Sequence, residues 1–437
     1  MRTFLQASCL ALAILSGSQT GAAQSDLREA VAKDYEENLG ALFRHFHTNP
    51  ELSHREFKTA ARLAAELGAL GYDVTEGVGG TGIVAVLKNG EGPTVLIRAD
   101  MDGLPVKEDT DLPYVSTATQ EDIDGVVKPV MHACGHDTHI TSLVGTARQM
   151  MARKSDWAGT IVLIGQPAEE RISGARMMIE DGLYTRFPKP DYALAFHVSS
   201  GLETGRIILP LGITGSSSDS VDITVRGVGA HGASPHRGID PVLIASQIVV
   251  SLQSVVSRSI APLEAGVITV GSIHGGSKHN IIGDEVKLQL TVRSNKPEVR
   301  TQLLDAIDRV ARGVAVSLGV PEDLMPIVTR SAVETTPPTI NDAETAQIVR
   351  TAFNAKLGED VLFEKPREGM GAEDFAYFVT PESGVKGVYF SVGGTPRGEV
   401  ETAPSHHSPF FKVEAEPAIK LGTEAMVVGA MTLLAKR

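Results

Sequence analysis

Within eight residues, His132-Ala133-Cys134-Gly135-His136-Asp137-Thr138-His139, the chain places three histidines, a cysteine and an aspartate. Thiolate and imidazole are both good ligands for Zn²⁺ and its neighbours. Cys134 and His136 stand at i and i+2 with flexible Gly135 between them, so both can reach one ion, and Asp137 suits an orienting role beside them. His132 and His139 serve equally well as structural residues. A second cluster, Gln166-Pro167-Ala168-Glu169-Glu170, has two adjacent carboxylates that cannot both face one ion well. A division of labour follows, in which one ligates and the other takes a proton from water whose pKa a metal lowers. His197 follows the apolar run Tyr192 to Phe196, and Ser405-His406-His407-Ser408-Pro409 offers one of two histidines to close a site. Chemistry alone leaves that choice open. Finally, Arg98-Ala99-Asp100-Met101-Asp102 sets two acids at i and i+2, which share one face of an extended segment. Asp100 and Asp102 either lean on a cationic site or cap a turn.

The elements that must position these groups alternate. Helical patterns cover 26–48, 55–70 and 138–152, with a short one at 173–181, while 82–87, 94–99, 160–164 and 192–196 are short apolar runs. Runs of that kind read as strands buried on both faces, and the alternation predicts an α/β domain with a mostly parallel sheet. Most of the clusters follow such runs, and in open α/β sheets ligands gather outside the carboxyl ends of strands. After residue 215 the pattern changes to strand 221–225, helix 240–257, strands 267–273 and 286–292, helix 298–318 and strand 325–329. That order is β-α-β-β-α-β, the split ferredoxin-like arrangement. The expected layout is therefore a catalytic domain in two parts, 24–215 and 333–437, interrupted by an inserted domain at 216–332. The run Thr335 to Thr339 marks the return linker, and helices near 342–356, 373–379 and 415–434 with a strand at 388–392 complete the first domain.

Residues 1–23 read as a signal peptide. Arg2 precedes an apolar run from Phe4 to Leu15, and Gly21, Ala22 and Ala23 offer a cleavage site. A periplasmic or secreted protein is expected. No later run reaches ~18 apolar residues, so no membrane span is expected. Removing the leader removes Cys9 and leaves Cys134 as a lone thiol, which in an oxidising compartment is buried, a liability or a ligand. The net charge of −13 disfavours binding to nucleic acid or anionic lipid. No G-x-S-x-G, H-E-x-x-H or P-loop pattern is present.

In order along the chain, RADMDGLP, MHACGHDTHI, QPAEE, GAHGASPH, NIIGDEV, GMGAEDFAYF and HHSPFF together resemble the hippurate hydrolase and auxin-conjugate amidohydrolase branch of the aminoacylase/carboxypeptidase G metallopeptidase superfamily. The resemblance runs from about residue 30 to 430. It implies a di-metal catalytic domain with an inserted lid and dimerisation domain. The activity it implies is hydrolysis of the amide bond in small N-acyl amino acids. Cys134, His136, Glu170, His197 and His407 match the positions that hold two divalent metals. His407 is favoured over His406 because it directly precedes a small residue and Pro. Glu169 matches the general acid/base. His231 matches a lid histidine that contacts the substrate carbonyl, and in dimeric relatives it reaches across from the partner subunit. Asn280 and Arg293 fall where relatives hold the substrate's carboxylate or carbonyl. The wider superfamily has a His-x-Asp pair where this chain has Asp100-Met101-Asp102, so Cys134 stands in for the missing histidine and the role of Asp100 is open. Mixed Cys, His and Glu ligands suit Zn²⁺, with Mn²⁺, Co²⁺ and Ni²⁺ as alternatives. A homodimer through the inserted domain is expected. A dipeptidase or carboxypeptidase would use the same site. A non-catalytic metal-binding protein would have no need of Glu169, and a solute-binding protein would leave Cys134 and His136 unexplained.

Overall fold

The computed structural model describes residues 26–435, so the expected leader, 1–23, lies outside the described residues. The chain divides into two units. The first takes the described residues up to Gly212, with Asn341–Pro366 and the residues from Phe378 onward; the second is Ile213–Ile340 with Arg367–Tyr377.

The first unit is built on a seven-stranded sheet in the order Asp73–Val78, Gly82–Asn89, Gly159–Gln166, Thr94–Asp100, Tyr192–Glu203, Lys386–Thr395, Ile207–Ile208. Its four central members, from Gly159–Gln166 to Lys386–Thr395, are parallel, and the outer pairs are antiparallel. Val95, Leu96, Ile97, Ile161, Val162, Leu163 and Ile164 are all buried, as consecutive residues must be in a strand covered on both faces. Helices His136–Ala152 and Ala415–Leu433 are buried along most of their length. Gly145 lets the first of them approach its neighbours, since a Cβ there would stand 2.8 Å from Leu39 Cδ1 and Thr423 Oγ1.

One strand is longer than its apolar run. Tyr192–Glu203 continues past Phe196 because Lys386–Thr395 pairs beside it as far as Glu203. On its other edge the pairing with Thr94–Asp100 stops at Ala195. His197 therefore stands just beyond the point where its strand loses one neighbour.

The second unit holds a four-stranded antiparallel sheet in the order Gly266–Gly275, Glu285–Ser294, Ser218–Arg226, Ile327–Thr336. Alternate residues Val286, Leu288, Leu290 and Val292 are buried with Val221, Ile223 and Val225 against helices Pro241–Ser254 and Pro297–Ser317, the period-two pattern of a sheet covered on one face. The chain order is β-α-β-β-α-β. The inserted unit differs from the expected 216–332 at both ends. It extends to Ile340 and includes 367–377, because Arg367 reaches Ser216 and Asn295, Tyr377 Oη donates to Thr335 O at 2.6 Å, and Thr339 Oγ1 donates to Glu373 O at 3.1 Å.

The sequence reading found no apolar stretch of spanning length after the leader. Among the described residues, helix Pro241–Ser259 is nonetheless long and apolar enough to cross a membrane. Its mostly exposed serines and glutamines break the apolar run in sequence. Ile244, Ala245, Ile248 and Leu252 pack into the unit's core, while Val242, Leu243 and Val250 are exposed.

Candidate active site

The polar clusters meet at the carboxyl ends of the parallel strands. Gly135 has φ 86°, and helix His136–Ala152 starts directly after it, which turns Cys134 and His136 toward one place. Ligand atoms of Cys134, His136 and Glu170 lie within 4.8 Å of one another, as do those of Cys134, His197 and His406. His407 Nε2 is 3.4 Å from Glu170 Oε2, and Glu169 Oε2 is 4.0 Å from His136 Nε2. The structure thus brings together Cys134, His136, Glu169, Glu170, His197 and both His406 and His407.

Hydrogen bonds decide what each imidazole can offer. His136 Nδ1 donates to the Asp102 carbonyl at 2.8 Å, so Nε2 is the nitrogen that faces the site. His197 Nδ1 donates to Val198 O at 2.6 Å, leaving Nε2 3.4 Å from Cys134 Sγ. Fixing one ring nitrogen to orient the other is how ligating histidines are held. His139 is different: Nδ1 donates to Asp100 at 2.6 Å and Nε2 accepts the Val198 N–H at 2.8 Å. Both nitrogens are used, so His139 is a structural histidine. In His406, Nε2 accepts the Ser200 N–H at 3.2 Å. A neutral ring in this geometry carries its proton on Nδ1, 3.7 Å from Cys134 Sγ. His407, at φ 66° and half exposed, has its backbone N–H on Ala133 O. His132 is buried with neither ring nitrogen hydrogen-bonded among the described residues, and burial pushes its pKa down to about 4.

Asp100 is tied up by a buried network rather than turned to a ligand's place. Arg98 Nη1 lies 2.6 Å from Asp100 Oδ2, and Arg98 Nε donates to Gln166 Oε1 at 2.7 Å. Burial opposes its charge, yet Arg98, His136 and His139 hold the Asp100 carboxyl well below the usual range. Asp102 accepts the N–H groups of Glu169 and Glu170 at 3.2 and 3.0 Å and the Ser53 hydroxyl at 2.6 Å. Asp137 receives His47 Nδ1 at 2.7 Å.

The centre is strongly negative. Burial works against charge on His136, but Asp100, Asp102 and Glu170 raise its pKa to about 10. Burial, with Asp102 and Asp100 nearby, raises Glu170 to about 7 against the pull of His136, and pushes the Cys134 thiol well up. His136 Nε2 and Glu170 Oε1 are buried with no hydrogen-bond partner among the described residues. Such atoms cost free energy unless something satisfies them. With a soft sulfur, imidazoles and a carboxylate converging, the donor set fits a divalent transition metal.

The three expected substrate residues lie in the second unit. His231, in strand Ala230–His231, is exposed and its Nδ1 accepts the Ala233 N–H at 3.0 Å. Asn280 is its neighbour, through Gly232 N to Asn280 O at 2.8 Å. Arg293 is not with them. It stands near the far end of strand Glu285–Ser294, donating to Thr291 Oγ1 at 3.1 Å, roughly 26 Å from Glu285 at ~3.3 Å per residue.

Sequence reasoning missed the stretch from Glu51 to Thr59. Glu51 Oε2 accepts the Thr59 N–H at 2.7 Å and its carbonyl takes the Gly103 N–H at 2.6 Å; Ser53 reaches Asp102, and Glu56 reaches the Glu169 turn. Five polar residues within six, Glu51 and Ser53 to Glu56, at the start of the second helical pattern were the signal.

Residues 96–428 match the model of peptidase family M20/M25/M40. The chain is 36% identical over 333 residues to hippurate hydrolase of Campylobacter jejuni, covering 76% of this chain and 82% of that one. It is 35% identical over 403 residues to thermostable carboxypeptidase 2 of Saccharolobus solfataricus, covering 90% and 94%. Among solved structures, a dinuclear metal-binding M20 peptidase from Bacillus subtilis aligns over 92% of this chain and 99% of that one, with 26% identity and a TM-score of 0.75. The chain is a hydrolase belonging to peptidase family M20/M25/M40.

Proposed function

We propose that this chain is a metal-dependent amidohydrolase that cleaves small N-acyl amino acids of the hippurate kind, with Glu169 carrying the proton. The observation that supports it most is the convergence of Cys134, His136, Glu170, His197 and His407 at the carboxyl ends of parallel strands, with Glu169 alongside. Those five would hold two divalent ions, Zn²⁺ or Mn²⁺, with Co²⁺ and Ni²⁺ as alternatives. Such ions, when bound, supply Lewis acidity, lowering the pKa of water and stabilising negative charge on oxygen. Glu169 takes the proton from the attacking water and returns it to the leaving amine nitrogen. Asp102 orients His136 and, through two backbone N–H groups, the glutamate turn. His231 donates to the carbonyl of the scissile amide, and Asn280 and Arg293 hold the remaining polar groups of the substrate.

The distance of Arg293 from the pair His231 and Asn280 favours a site completed by two chains, with His231 supplied by the partner subunit. A homodimer through the second unit would cover the exposed Val242, Leu243 and Val250. The apolar run from Phe4 to Leu15 followed by Gly21, Ala22 and Ala23 supports a leader cleaved after Ala23 and an enzyme in the periplasm or outside the cell.

The identity to a carboxypeptidase favours a second reading, in which the same site acts on peptides. Metal-loaded enzyme assayed on benzoyl-glycine and on glycyl-phenylalanine separates the two. Faster turnover of benzoyl-glycine is expected, and Glu169→Gln abolishes it with metal still bound. Preference for the dipeptide overturns the substrate class, and a Glu169→Gln variant with near-normal kcat overturns the role of Glu169.

A further inference from the structure

The turn that carries the two glutamates is held in an unfavourable shape. Ala168 (φ 48°) and Ile172 (φ 54°), on either side of Glu169 and Glu170, both occupy the left-handed region, which residues with a Cβ avoid. Behind them the chain closes so tightly that a Cβ on Gly174 would stand 1.6 Å from the Pro167 carbonyl oxygen. Conformations of this kind persist where the surroundings over-determine them, and they cluster at sites of chemistry.

Two buried carboxylates grip the turn. Asp102 takes the N–H groups of Glu169 and Glu170. Glu56 takes the one before them: its Oε1 accepts the Ala168 N–H at 2.8 Å and the His54 N–H at 3.0 Å. Its Oε2 accepts the Thr81 hydroxyl at 2.5 Å. Glu56 is 0% exposed and 112 residues from Ala168 in sequence. A carboxylate buried in that way needs its hydrogen bonds, and one of them ends on the strained residue next to Glu169.

We propose that Glu56 is a positioning residue for catalysis: through the Ala168 N–H it fixes the left-handed turn that aims Glu169 at its proton. Glu56 itself touches neither substrate nor metal. The proposal rests on the reading of Glu169 as the proton carrier.

The test compares Glu56→Ala, Glu56→Gln, Glu56→Asp and the pair Glu56→Ala with Ala168→Gly, all metal-loaded and saturated with benzoyl-glycine. Glu56→Ala lowers kcat at least tenfold while KM stays within about threefold. Gln retains most of kcat, since its carbonyl oxygen can accept both backbone N–H groups and its amide can meet Thr81. Ala168→Gly restores part of the kcat lost in Glu56→Ala, because glycine takes a positive φ without the Cβ penalty; thermal midpoints of all variants, measured alongside, separate this from a general loss of stability. If Glu56→Ala does not fold, Glu56→Asp carries the test; it keeps a carboxyl group, withdraws the acceptor from Ala168 and lowers kcat at least fivefold. Overturning results are a kcat within twofold of wild type in the folded Ala or Asp variant, or a folded Gln variant as impaired as Ala. Glu169→Gln, assayed in parallel, shows separately whether the reading of Glu169 holds.

Discussion

His47 lies between two carboxylates, with Nδ1 2.7 Å from Asp137 Oδ2 and Nε2 3.3 Å from Glu108 Oε1. Both ring nitrogens donate, so the ring is protonated in the folded chain. Burial works against that charge, but Asp137 and Glu108 raise the pKa from 6.5 to about 9. Both carboxyls are lowered in turn, against their own burial, by their bonds to His47. A pKa raised on folding stabilises fully below the unfolded value, near 6.5, and that stability is lost as pH rises through about 9. At 1.36 kcal/mol per pH unit the gap is worth roughly 3 kcal/mol, and with the side chain 6% exposed solvent screens little of it. His47→Gln removes the titration and keeps a donor. The wild type's stability lead over His47→Gln should therefore be larger at pH 6 than at pH 9.5 by roughly 2–3 kcal/mol. Urea unfolding of metal-loaded protein at both pH values measures it. Trp157, the single tryptophan, reports on the first unit, where it is buried with Nε1 donating to Met150 O. A lead that is equal at the two pH values, or larger at pH 9.5, would refute the charged bridge.

Arg98→Met takes the buried guanidinium from Asp100 and should destabilise by roughly 3–5 kcal/mol; an unchanged thermal midpoint would contradict it. Gly135→Ala forces a Cβ into φ 86° and to 2.4 Å from Val198 Cγ1, between two expected ligands. Bound metal, measured by plasma mass spectrometry, should fall by at least half, and full occupancy would show that the turn does not set the ligands. Val250→Asp charges the most exposed apolar residue of helix Pro241–Ser259. Sedimentation should show a shift from dimer to monomer, and an unchanged dimer would move the interface elsewhere.

Asp100, Glu169, Glu170 and His197 could be placed together because each follows an apolar run that is a buried strand, whereas Cys134, His136 and His407 were picked out by residue type and by the resemblance. The role of Asp100 was legible too, though the reading left it open. Arg98 sits inside the buried run TVLIRAD, where a guanidinium needs a partner, and Asp100 at i+2 is on its face of the strand. What could not be read depends on contacts distant in sequence. His406 and His407 differ in chemistry because Ser200 N–H occupies one nitrogen of His406, which no local pattern encodes. Glu56 looks like an ordinary helix-start acid until the fold buries it against Ala168. Strand Asp73–Val78, with three of its six residues exposed, carries too weak an apolar signal to be read. The inserted unit's claim on 367–377 likewise comes from tertiary hydrogen bonds.

Whether Cys134, His136, Glu170, His197 and His407 together hold two divalent ions is tested most directly by anomalous diffraction from metal-loaded crystals at the metal's absorption edge. Two peaks about 3.5–4 Å apart are expected, with Cys134 Sγ and the imidazole nitrogens in bonding contact. Peaks away from Cys134 and His197, or none, would contradict the assignment.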